Sequence, residues 1–98
     1  VKNIAQILGK ESVKFKPSGA TINPFNDQLW VLSSAGDRLL VTARRNGNII
    51  QAYPLPRDIF KQPEGIAIAA DRTLFISNES AGQGAPNILV MRYRNKKK

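Results

Sequence analysis

The stretch Gln62-Pro63-Glu64-Gly65-Ile66-Ala67-Ile68 repeats, in altered form, the stretch Lys16-Pro17-Ser18-Gly19-Ala20-Thr21-Ile22 that stands 46 positions earlier. The similarity continues outward from there. Gln28-Leu29-Trp30-Val31-Leu32-Ser33-Ser34 resembles Thr73-Leu74-Phe75-Ile76-Ser77-Asn78-Glu79 at a spacing of 45. Leu39-Leu40-Val41-Thr42-Ala43-Arg44-Arg45-Asn46 resembles Ile88-Leu89-Val90-Met91-Arg92-Tyr93-Arg94-Asn95 at a spacing of 49. The matches keep their order. The spacing changes only across the turn-like segments Asn23 to Asp27 and Ser80 to Pro86. Insertions confined to loops are what a structural repeat produces.

Each unit reads as short strands rich in Val, Ile, Leu and aromatic residues. The first is expected to carry strands at 19–23, 28–33, 38–45 and 48–53. Pro24, Asn26 and Asp27 supply one turn, Ala35-Gly36-Asp37 the next, and Asn46-Gly47 a hairpin between the third and fourth strands. The second unit is expected to carry strands near 65–69, 73–78 and 87–93, and no fourth. Residues 3–9 read as a helical turn or as the end of a preceding strand. Four strands in roughly 45 residues is the period of a propeller blade. The expected fold is therefore all-β, a partial β-propeller of about two four-stranded blades, the last lacking its outer strand. Residues 1–16 form the end of a preceding blade or a linker, 17–56 a blade, 62–94 the final blade and 95–98 a basic tail. A ring needs at least about four blades. The remainder is expected upstream of Val1, or from further copies of the chain, three of which would make a six-bladed ring.

Composition narrows the chemistry. The 98 residues contain no cysteine and no histidine. Disulfides, thiolate or imidazole metal sites, histidine bases and Ser-His triads are excluded from this chain. No apolar run approaches the ~20 residues of a membrane span, and no signal peptide is visible. Fifteen Lys and Arg against seven Asp and Glu give a net charge of +8. Excess positive charge favours acidic partners, but most of it is scattered. Only Arg44-Arg45 and the stretch Arg92, Arg94, Lys96 to Lys98 cluster, which reads as solubilising charge on outer strands and a tail.

The segments Lys16-Pro17-Ser18-Gly19, Leu29-Trp30-Val31-Leu32-Ser33-Ser34, Gln62-Pro63-Glu64-Gly65-Ile66-Ala67 and Leu74-Phe75-Ile76-Ser77-Asn78-Glu79 resemble the C-terminal part of the SdiA-regulated, or YjiK-like, β-propeller family over roughly residues 12–94. Pro-Glu-Gly-Ile alone also occurs in NHL and gluconolactonase-like propellers; the resemblance lies in the order and spacing of all four segments. It implies a six-bladed ring, bacterial origin, a periplasmic or cell-envelope location behind an N-terminal membrane anchor absent from this chain, and a link to calcium. Ala20-Thr21 and the basic tail depart from the family pattern.

Glu64 and Glu79 are the candidate ligand-binding residues. Glu64 precedes the innermost strand of its blade and is expected at one mouth of the central channel. Glu79 follows the next strand, which antiparallel pairing brings back to the same end. Asn78 and Ser80 would add oxygens, as a hard cation such as calcium requires. The first unit has Ser18 and Ser34 at the two places, so both carboxylates are lost together. The competing reading has Glu64 capping a turn and Glu79 solvated. Trp30 and Phe75 are expected to pack between blades. Ser33, Ser34 and Ser77 have no histidine to activate them and are expected to satisfy strand ends. Asn78-Glu79-Ser80 matches a glycosylation sequon, accidental in a bacterial protein. Ser80 to Pro86 is expected to be a surface loop.

The functional expectation is a non-enzymatic envelope propeller that binds a partner or small ligand at its channel mouth, linked to calcium. No nucleic acid is expected. Two alternatives stand beside it: a metal-dependent lactonase-like hydrolase, and a binder of anionic polymers, nucleic acid or glycan, through basic strands.

Overall fold

The computed structural model describes residues 3–34, 36–79 and 85–93. Among the described residues, seven strands follow one short helix. Strands β1 (Pro17–Asn23), β2 (Gln28–Ser33), β3 (Leu39–Ala43) and β4 (Ile49–Pro54) form one antiparallel sheet in sequence order. Strands β5 (Pro63–Ile68), β6 (Leu74–Asn78) and β7 (Asn87–Met91) form a second. The two sheets are stacked along β1 and β5 and open; among the described residues no closed ring is formed. Helix α1 (Ile4–Leu8) realises the expected helical turn. A reciprocal capping box between Asn3 and Gln6 starts it, and Gly9, left-handed at φ 70°, ends it. None of the described helices is long and apolar enough to cross a membrane.

The strands fall where the repeat places them, with β1 and β5 starting two residues early because Pro17 and Pro63 already pair with Ser33 and Asn78. Both first strands then bulge at the same place, at Ser18 and at Glu64. The turns that follow match as well. Asn26 accepts the Gln28 N–H and Asp71 the Thr73 N–H, each at 3.0 Å. The residues between, Asp27 and Arg72, are both left-handed, at φ 61° and 72°. The Asn46-Gly47 hairpin forms, but as a three-residue loop. Arg44 and Asn48 close it, Gly47 alone in the loop has positive φ, and β4 carries one extra residue, Ile50, just beyond it. This is a turn followed by a glycine bulge rather than a two-residue primed turn.

The third repeat match needs correction. Leu32 pairs with Leu40 and the equivalent Ser77 with Ile88, so Leu40 corresponds to Ile88, 48 positions on rather than 49. A slip of one residue moves every side chain of a strand to the other face. With the corrected register, each sheet has one face directed like that of Trp30, Leu32 and Leu40, and one directed like that of Leu39 and Val41.

The first of these faces packs on the second sheet. Leu32, Leu40, Ile76 and Phe60 are buried there together, with Trp30, Ile66, Leu74, Leu89 and Met91 around them. Phe60 comes from the connection between the sheets. The opposite face of the first sheet buries Leu39, Val41 and Ala52 beneath Ile4, Ile7, Leu8, Val13 and Phe15. Strand β3 is therefore covered on both sides, and all five of its residues are buried, which explains why Leu39, Leu40 and Val41 are apolar in succession rather than alternating.

The sheets touch most closely along their first strands. The Ser18 hydroxyl donates to the Pro63 carbonyl at 2.8 Å. Gly19 lies against the Glu64 carbonyl so closely that a Cβ would overlap it. The guanidinium of Arg38, leading into β3, donates to the Lys61 carbonyl in the connection.

Candidate functional site

The strand topology brings Glu64 and Glu79 to one end of the β5–β6 pair. Pro63 pairs with Asn78, and the Glu79 N–H donates to the Gln62 carbonyl at 2.9 Å. Glu64 occupies the bulge and is half-buried; Glu79 follows the last residue of β6 and is exposed. Their surroundings differ. Glu79 lines a polar cleft of about 280 Å³ together with Asp58, Lys61, Asn78 and Asn87, and Glu64 does not line it. Among the described residues no three acidic side chains gather to enclose a metal ion. Ser80, the fourth candidate, lies outside the described residues, as do Ala35 of the second turn and the basic tail.

Asn78 has a structural occupation. Its Oδ1 accepts the Gln62 N–H at 3.3 Å, and its Nδ2 donates to the Ile59 carbonyl at 3.3 Å and to Asn87 Oδ1 at 3.0 Å. It is buried, so these bonds meet the demand a buried amide carries. Ser33 holds the same place in the first sheet and accepts the Lys16 N–H at 2.9 Å. The residue ending each second strand thus ties down the residue before Pro17 or Pro63. Ser18, the counterpart of Glu64, reaches the neighbouring sheet. By that equivalence Glu64 stands where a side chain can tie one sheet to the next.

The opposite end of the sheets holds a feature absent from the sequence reading. A groove of about 440 Å³ opens between the β1–β2 turn, the β5–β6 turn and the end of β7. Trp30, Ile68, Leu74 and Met91 line its apolar wall. The Arg72 guanidinium lies 4.5 Å from the Phe25 ring centre and 4.9 Å from that of Tyr93. Such contacts contribute about 0.5–1 kcal/mol each at exposed sites. The indole N–H of Trp30 is buried and has no acceptor, a cost of about 1–3 kcal/mol for a buried polar group. The one available sequence signal was the pairing of turns. Asp27 makes an ion pair with Arg45 at 2.9 Å, whereas its counterpart Arg72 has reversed charge and needs a different partner.

Asp71, beside Arg72, is held below its ordinary pKa of 3.8, first by the hydrogen bond from the Thr73 side chain and then by that from the Thr73 backbone. Compared with family models, curated proteins and solved structures, the chain matches none.

Proposed function

We propose that the chain supplies two successive blades of a six-bladed bacterial cell-envelope β-propeller, a non-enzymatic module that binds a partner or small ligand at the end of the sheets marked by Glu64 and Glu79. In the intact protein an N-terminal anchor would hold the ring at the membrane. The observation that carries this reading is the contact between matched first strands: two sheets with bulges at equivalent residues, Ser18 and Glu64, stacked along β1 and β5. A blade is such a sheet, and its first strand faces the channel in a propeller. Glu64 and Glu79 then stand at one channel mouth, beside the polar cleft that Glu79 shares with Asp58.

Calcium is the cation this end would attract. It takes about six to eight oxygen ligands, so the other blades must supply most of them. Thermal melting of the assembled ring in a calcium series tests the calcium link. The expected result is a rise in Tm with calcium, at ten times Kd worth about 1.4 kcal/mol, that is lost in Glu64→Gln and Glu79→Gln. A Tm that calcium leaves unchanged removes the metal from this reading.

A further inference from the structure

The groove at the turn end uses neither Glu64 nor Glu79, and its side-chain polar groups are mostly donors. The Oδ1 atoms of Asn23 and Asn26 are already engaged, accepting the N–H groups of Phe25 and Gln28. What they leave are amide N–H groups. The Trp30 indole N–H has no acceptor. Phe25 and Tyr93 lie against the guanidinium of Arg72, and its five N–H donors lie at the rim of the plane. No carboxylate lines the groove, and none pairs with Arg72 among the described residues. The walls are apolar, and the volume suits a small molecule.

We propose that this groove binds a small carboxylic acid with a flat apolar body. The body lies against Trp30, Ile68, Leu74 and Met91. The carboxylate accepts two parallel hydrogen bonds from the edge of Arg72, a geometry that a planar guanidinium offers and an ammonium does not. Phe25 and Tyr93 hold the guanidinium in plane before the ligand arrives, so little side-chain freedom is lost on binding. The excess of donors selects the anion over a neutral amide or an amine of the same shape.

Trp30 is the chain's single tryptophan, so its emission reports on the groove directly. The probe is phenylacetate, compared with phenylacetamide and phenethylammonium. The expected result is a saturable change in Trp30 emission with phenylacetate below roughly 10 mM, the range that reveals a millimolar Kd. Phenylacetamide should bind at least ten-fold more weakly, and phenethylammonium should not bind. Arg72→Gly should weaken phenylacetate at least ten-fold. Glycine is comfortable at the left-handed φ of 72°, so this variant keeps the turn, as circular dichroism would verify. Arg72→Met, which keeps an apolar stem between the rings, should lose the same binding. Glu79→Gln should leave it unchanged. No saturable change with phenylacetate overturns the proposal. So does equal binding of the amide or the amine, or undiminished binding by both Arg72 variants. The calcium titration reads Glu64 and Glu79, neither of which lines the groove, so either proposal can fail alone.

Discussion

The two sheets present the same face to opposite fates. In the first, Trp30, Leu32, Leu40 and Thr42 look toward the second sheet, and Leu32 is 0% exposed. In the second, the equivalent residues are Phe75, Ser77, Ile88 and Val90, and nothing among the described residues covers them. Ile88 is 64% and Val90 49% exposed. The same strand pattern thus makes a core in one copy and an apolar surface in the other. Neighbouring sheets, not local sequence, decide burial here. That is the behaviour of a repeat whose units cannot bury their faces alone.

The largest expected effect breaks the comparison from inside. Ile76→Ala removes a side chain that is 1% exposed between the sheets, and should cost about 2–5 kcal/mol. Ile88→Ala, one strand away on the uncovered face, should change stability by less than about 0.5 kcal/mol. Urea unfolding of both variants measures the contrast. Similar losses would mean that the uncovered face is covered in solution.

A middle-sized effect sharpens it. Ser33 and Asn78 hold the same place but make one and three side-chain hydrogen bonds. Asn78→Ala should cost about 1–3 kcal/mol, because it removes three part-buried hydrogen bonds made by one buried amide. Ser33→Ala should cost about 1 kcal/mol. Equal costs would show that the extra bonds of Asn78 add nothing.

The smallest effect concerns the turns. Asn26 and Asp71 make equivalent bonds, but only Asp71 titrates. Its folded pKa is depressed, so its contribution is present above the unfolded value of about 3.9 and lost as pH falls through the folded value. Asp71 is exposed, so the effect is small. Amide exchange at Thr73 should quicken relative to Gln28 only once pH falls below the ordinary aspartate range, and Asp71→Asn should abolish the difference. A pH-independent ratio would rule out the bond as the cause of the shift.

Much of this fold was legible in the sequence, because strands one and two of each unit carry Pro-x-Gly starts and turn residues at matched spacing. The third strands did not align correctly. Both Leu39-Leu40-Val41 and Ile88-Leu89-Val90 are apolar at every position, so composition cannot distinguish registers one residue apart; only pairing with β2 and β6 does. The end that gathers Glu64 and Glu79 followed from antiparallel topology. The prior engagement of Asn78 did not, since Gln62, Ile59 and Asn87 meet it only through the folded connection. The Arg72 groove was invisible for the same reason: Phe25, Trp30, Arg72 and Tyr93 are scattered along the chain and converge only when the sheets stack.

That stacking is the central claim, and an NMR measurement reaches it directly. A Cβ on Gly19 would lie 3.6 Å from the Gly65 Cα, so the α-protons of the two glycines must be close. The account predicts a nuclear Overhauser cross-peak between them, alongside the intrasheet peaks from Ala67 to Phe75, which pair across β5 and β6. Intrasheet peaks without the Gly19–Gly65 peak would mean that both sheets form but do not stack along their first strands, and would contradict the account.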